Sequence, residues 1–347
     1  MRIHILRLTA FALLILAASP IARAESQAEQ SHSPAHLAGT LWWISPADAE
    51  CTPGFWETEL NLIQALGMDT LVLNGPFVDA PFLDTFLAET DRRNMHVYID
   101  TLSAPNWWTL TDPTEEIARA NARIDRLHAQ YGQHASFEGW YIPYELYVFW
   151  DAQAELITRL YTDVAAHCKR ISPTKKVMIS PFFILDRNNI LGTFRFAEPL
   201  EYQSFWTSVL KSAQGIDIVA LQDSGEHLSL YTMADRQPFF AAMKSACDAT
   251  GKTLWANIET AELEVASFDD YVARFGKHTH VNDPKLAEFW RGVPAEKLAE
   301  KLRFAGQHTS TAITWGYREM IRPGADPKAP KNYESYLSVL APARPAK

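Results

Sequence analysis

The chain has 347 residues, 47% of them hydrophobic and 21% charged, with 32 basic side chains against 41 acidic and a formal charge of −9. An acidic surface repels phosphate backbones and anionic headgroups, which disfavours nucleic acid as a partner and leaves a neutral or weakly charged substrate. Cys51, Cys168 and Cys247 are too few for a disulfide framework and lack zinc-ligand spacing.

The chain opens with basic Arg2 and Arg7, an apolar core from Leu8 to Ala18, and the small-residue pattern Ala22-Arg23-Ala24. These are the three parts of an export signal, and they predict cleavage after Ala24 and a periplasmic or secreted product. The apolar core is short of the roughly 20 residues that span a bilayer, and Glu25 stands where a lipoprotein would have Cys, so no membrane insertion is expected after cleavage. Residues 25–37, rich in Ser, Gln, Ala and His, read as a disordered leader.

From residue 38 the pattern changes. Eight short β-branched or aromatic runs, at 40–45, 70–74, 96–101, 139–144, 176–182, 216–222, 253–259 and 312–317, alternate with amphipathic stretches at 58–66, 81–93, 114–131, 151–170, 202–213, 237–250 and 294–307. Parallel strands joined by crossover helices show this alternation, and eight strands close a barrel. Glu115 and Glu116 suit a helix's first turn, and Gly67 and Gly251 suit helix ends. An open doubly wound sheet would show a Gly-rich phosphate turn after its first strand, where this chain has Ser45-Pro46-Ala47. The expectation is one (β/α)8 TIM barrel over residues 38–340, followed by a tail at 341–347. Cys168 and Cys247 then lie two units apart on the outside, as buried thiols.

In such a barrel the working residues stand at the carboxyl ends of the strands. In Thr253-Leu254-Trp255-Ala256-Asn257-Ile258-Glu259, alternation sends Thr, Trp, Asn and Glu into the lumen and places Glu259 uppermost. In Gly139-Trp140-Tyr141-Ile142-Pro143-Tyr144-Glu145, Pro143 lacks a ladder donor, so pairing should fail there and lift Glu145 to the mouth among aromatic side chains. Desolvation there would raise its pKa toward the range of a general acid, whereas Glu259 stands beside polar Asn257. Two carboxylates in unlike surroundings are what glycoside cleavage requires, and a retaining enzyme holds them roughly 5 to 5.5 Å apart. Trp42, Asp100, Gln222, Asp223 and Trp315 also fall at strand ends and suit a sugar's hydroxyls and C–H faces, although Asp100 and Asp223 equally suit helix caps. His278-Thr279-His280 falls in a polar loop without further ligands, so neither a metal nor another cofactor is expected.

The strand-four run, Leu221-Gln222-Asp223-Ser224 and Trp255-Ala256-Asn257-Ile258-Glu259 resemble the strand-end motifs of the DUF4434 family, placed among the TIM-barrel glycosidases. The likeness runs from about residue 39 to about 321. By analogy with the clan A glycosidases, it implies that Glu145 is the acid/base and Glu259 the nucleophile. Those enzymes commonly carry Asn before the first glutamate, where this chain has Tyr144. The resulting expectation is a retaining glycoside hydrolase acting on an envelope, extracellular or environmental glycan, with Tyr144 and Asn257 among its substrate contacts. The alternative is a barrel that binds glycans without cleaving them, and a third reading is a metal-dependent hydrolase.

Overall fold

The structure is a computed structural model that describes residues 32–78, 81–105, 107–223, 228–279 and 283–340. The export signal, residues 25–31 of the expected leader, the tail at 341–347, Ser224 and His280 lie outside the described residues.

The first four strands are β1 (His36–Trp43), β2 (Thr70–Asn74), β3 (His96–Asp100) and β4 (Phe137–Ile142). They are followed by β5 (Lys176–Ile179), β6 (Ile218–Gln222), β7 (Thr253–Glu259) and, after a side excursion, β10 (Thr311–Trp315). These eight close a parallel barrel in the order β1-β10-β7-β6-β5-β4-β3-β2, the (β/α)8 architecture expected. The first crossover holds the short α1 (Pro46–Ala49) and α2 (Pro53–Ala65); α3 (Phe82–Arg92), α4 (Thr114–Tyr131), α5 (Asp151–Ile171), α6 (Pro199–Ser212) and α7 (Met233–Thr250) make the next five. After β7 come β8 (Ala261–Leu263), α8 (Phe268–Phe275), β9 (Trp290–Gly292) and α9 (Ala295–Ala305), and α10 (Asn332–Leu340) follows β10. No described helix is long and apolar enough to cross a membrane.

Local chemistry sets the boundaries. In α4, Ile117, Ala120, Ile124, Leu127 and Tyr131 recur at helical spacing and are buried, while Glu115 and Glu116 occupy the first turn. α7 begins earlier than expected because Thr232 and Asp235 form a capping box, and it ends at Gly251 with φ 67. β4 stops at Ile142, directly before Pro143, as reasoned. β5 stops short of residue 182, with Pro181 breaking the run.

β1 starts at His36, inside the segment read as leader, because Leu37 is buried and Ala35 donates its N–H to Leu302 O at 2.9 Å. The stretch after β7, read as a polar loop, instead pairs β8 antiparallel with β9 and carries α8. Leu263, Val265, Tyr271 and Leu286 from it join Leu191 and Leu228, from the connections after β5 and β6, in a second apolar cluster. The spacing of those apolar residues follows neither a strand nor a helix period, so the segment reads as loop until its partners are known.

Barrel strands bury both faces. Leu254, Ala256 and Ile258 of β7 belong to the layer packed against the helices, whereas Trp255 joins Tyr98, Tyr141, Met178 and Ile313 in the cluster that fills the lumen. At the lumen wall a Cβ on Gly139 would lie 2.4 Å from Lys176 O and 2.8 Å from the Tyr98 ring. All three cysteines are free thiols, Cys168 and Cys247 buried.

Candidate active site

The inward alternation carries Trp43, Asn74, Asp100, Ser180, Gln222, Glu259 and Trp315 to the top of the barrel, and Glu145 follows β4 at the same end. Glu259 is 1% exposed. In the β7–β10 register it stands opposite Trp315, whose indole N–H donates to its Oε2. Its backbone N–H donates to Asp223 Oδ1 at 3.1 Å, and its carbonyl accepts from Lys301 Nζ at 2.8 Å. Lys301, from α9, also pairs with Asp223 Oδ2 at 2.8 Å, and both side chains are buried. Burial holds the Lys301 ammonium below its ordinary range, against the pull of the Asp223 carboxylate. Arg236 in turn donates to Asp223 O at 2.7 Å. This pair clamps both polar backbone atoms of Glu259 where the strand ladder ends. Lys301 carries no signal of its own in the sequence, since it comes from a helix with no motif.

Glu145 is half-buried, and the Tyr141 hydroxyl, two residues below the break at Pro143, donates to its Oε1 at 2.9 Å. Burial first, and then the Glu145 carboxylate, push the Tyr141 hydroxyl well above its ordinary range, so it stays a neutral donor. The signal that finds Tyr141 is alternation below the mouth, since it shares the lumen face with Gly139.

Several expected contacts take other places. Trp42 is 2% exposed and faces the helices, packed against Trp56 at 5.3 Å and Tyr317 at 5.7 Å; its neighbour Trp43, 55% exposed, is the one at the mouth. The reason is parity, because Leu41 points into the lumen and Trp43 shares its side. Tyr144 is fully buried, donates to Glu116 Oε1 at 2.9 Å and meets Trp107 edge-on at 5.3 Å, so it anchors the layer outside the barrel and is no surface for a substrate. Asp100 is buried with Oδ1 on Arg123 Nη2 at 2.7 Å and Oδ2 on Gly75 N at 2.8 Å, tying β2, β3 and α4 together. Among the described residues the helices that follow Asp100 and Asp223 have Pro113 and Thr232 at their N-caps, so neither aspartate is the N-cap of α4 or α7. Gln222 Nε2 donates to Ser180 O and Asn257 Nδ2 to Ser180 Oγ, each at 3.0 Å. Buried Asn257 keeps Oδ1 without a hydrogen-bond partner among the described residues, an acceptor left open one inward position below Glu259. Among the described residues no three His, Cys, Asp or Glu side chains cluster to hold a metal.

A cleft of about 760 Å3 opens beside Glu145. Its walls are Trp107 and Trp108 after β3, the run after β4 to Trp150, and Phe182 to Arg195 after β5. Glu259 does not line it.

Fold and site together define a closed parallel barrel with acidic and aromatic side chains gathered at its carboxyl face. Residues 37–327 match the family described as "Domain of unknown function (DUF4434)", and the chain belongs to that family. No curated protein matches it. Among solved structures it is similar to a "putative alpha-L-fucosidase" from Bacteroides thetaiotaomicron, at TM-score 0.69 and 18% identity over 89% of this chain and 96% of that one. It is also similar to an endo-beta-1,4-mannanase from Thermotoga petrophila, at TM-score 0.53 and 11% identity over 91% and 79% of the two chains. A GH10 endoxylanase from a sugarcane soil metagenome gives TM-score 0.50 and 12% identity over 81% and 86%. At these identities the likeness is one of fold.

Proposed function

We propose that this protein is a retaining glycoside hydrolase of the periplasm or cell exterior, acting on an envelope, extracellular or environmental glycan. The observation that carries the proposal is the pair Glu145 and Glu259, raised from β4 and β7 at one end of a closed barrel with unlike partners. The names printed for the similar structures support it, since each is a glycosidase by description. In the first step the Glu259 carboxylate bonds to the anomeric carbon as the bond to the leaving oxygen breaks and the Glu145 proton moves to that oxygen. In the second step Glu145 takes a proton from water, whose oxygen displaces Glu259 and frees the sugar with its configuration kept. Trp315 and the Asp223–Lys301 clamp fix the nucleophile, and the two carboxyl groups fill both roles without a metal or organic cofactor.

The test is release of reducing ends from a panel of bacterial and plant glycans, with anomeric configuration followed by NMR. Glu145→Gln and Glu259→Gln should each lower the rate by at least about 100-fold, the lower end of what a positioned acid or base contributes. A chelator should leave the rate unchanged. Activity that survives both substitutions refutes the proposal. The near-complete burial of Glu259 favours one second reading, a barrel that holds glycans without cleaving them. Binding with no turnover of any glycan would select it.

A further inference from the structure

The cleft beside Glu145 has an unusual composition for a place where a sugar ring would sit. Its polar lining side chains are Glu145, Thr193 and Arg195, apart from Tyr147 and the tryptophans. Two of the remaining polar handles are already used within the protein. The Tyr147 hydroxyl accepts from Ala197 N, and Trp150 Nε1 donates to Glu201 Oε1 at 2.6 Å. Apart from Glu145, Thr193 and Arg195, what faces the cavity is mostly ring surface and aliphatic side chain. Tyr147 stacks on Phe182 at 6.2 Å with planes 20° apart, the Arg195 guanidinium lies over the Trp150 ring at 4.1 Å, and Trp108, also in the lining, is 52% exposed. A sugar in such a space would lose water from several hydroxyls and find few replacements, at roughly 1–3 kcal/mol for each group left unpaired. A flat apolar group loses nothing comparable, and ring pairs with centroids 4.5–7 Å apart, the spacing these walls already use, are favourable.

On the mechanism above the acid stands between the sugar and the group that departs, whereas the nucleophile stands under the sugar alone. The cleft includes Glu145 and does not include Glu259. Resting on that assignment, the geometry points to this cleft as the leaving-group site, and to an aromatic aglycone as its occupant. The reaction is then water plus an arylalkyl or aryl glycoside giving the free sugar and an aromatic alcohol, the Glu145 proton ending on the alcohol oxygen. The volume of about 760 Å3 sits within the roughly 300–1,000 Å3 of pockets that enclose small ligands, wide enough for more than one fused ring.

The experiment needs no turnover. Isothermal titration calorimetry on the full mature chain would compare 2-naphthalenemethanol, its fully saturated decahydro counterpart, and the linear β-1,4 tetrasaccharides of glucose, mannose and xylose. The naphthyl alcohol should bind at least tenfold tighter than the saturated alcohol, and Trp108→Ala should weaken it at least fivefold. That tryptophan is exposed enough to be removed without loss of fold, which an unchanged denaturation midpoint would verify. Equal affinity for the saturated alcohol overturns the aromatic assignment. A tetrasaccharide that displaces the naphthyl alcohol makes the cleft an ordinary sugar subsite, and no binding of the naphthyl alcohol leaves the proposal without a ligand; either result overturns it. On the kinetic side, kcat/KM for a benzyl glycoside should exceed that for the matching methyl glycoside at least tenfold, since the two alcohols are nearly equal as leaving groups. Binding in a protein that turns over no glycoside overturns the hydrolase reading and with it the word aglycone, whereas failure to bind overturns the present proposal alone.

Discussion

Replacing Lys301 by Met tests how Glu259 is held. The substitution conserves length and removes the charge, leaving the Asp223 carboxylate in a site where both side chains are at most 2% exposed. Breaking a buried ion pair by deleting one partner costs about 3–5 kcal/mol, and here the Glu259 carbonyl loses its 2.8 Å donor as well. The double variant Asp223→Leu with Lys301→Met removes both members of the pair. What remains is a Glu259 N–H and C=O without partners, roughly 1–3 kcal/mol for each that stays dry, so the double variant should be more stable than Lys301→Met by at least about 1 kcal/mol. Urea unfolding followed by fluorescence gives the midpoint and slope for all four proteins of the cycle. Activity should not follow stability back. The double variant has lost the groups that fix the Glu259 peptide, and its kcat should stay at least about tenfold below wild type, because small misplacements of a reacting group carry large rate penalties. A Lys301→Met protein destabilised by less than 1 kcal/mol, or a double variant that costs the sum of its single changes, refutes the clamp.

Two further expectations concern the scaffold. Gly139→Ala places a methyl 2.4 Å from the Lys176 carbonyl and against the Tyr98 ring, so β4 and β5 must part or Tyr98 must leave the lumen, at about 1–3 kcal/mol or more; a urea midpoint within error of wild type would show that the barrel yields there. Burial, in a place where the ring meets Phe240 and Phe304, and then the charge of Lys244 hold the His308 imidazole below its ordinary range, so the unfolded chain binds its proton first. Stability from this group is present above about pH 6.5 and falls as the pH drops below it, and His308→Phe should unfold with a shallower loss between pH 7 and pH 5; parallel curves would rule the group out.

What could be read in advance depended on how local its cause was. β7 runs from Thr253 to Glu259, as its alternation implied, because two buried faces with different neighbours impose a period of two on seven residues. Pro143 ended β4 through a single missing N–H, an effect that needs no partner. Trp42 and Trp43 were harder, since adjacent large aromatics offer no contrast and only the parity set by Leu41 tells them apart. Tyr144 stands after the break, where alternation no longer applies, and its side chain follows the pull of Glu116, 28 residues earlier in the chain. The Asp223–Lys301 pair, formed by an acid at a strand end and a base on a helix 78 residues on, is a product of barrel closure with no local pattern in either segment. The excursion after β7 was hidden for a similar reason, its apolar residues being satisfied by the connections after β5 and β6.

The plug of Tyr98, Tyr141, Met178, Trp255 and Ile313 in the lumen has a consequence for traffic. With the lumen filled among the described residues, the upper face is the way in, and on the proposed hydrolase reading both halves of a cleaved molecule would depart through the opening by which the whole arrived. On the proposed mechanism departure would have an order, the half in the side cleft leaving first and its exit admitting the water that releases the half bonded to Glu259.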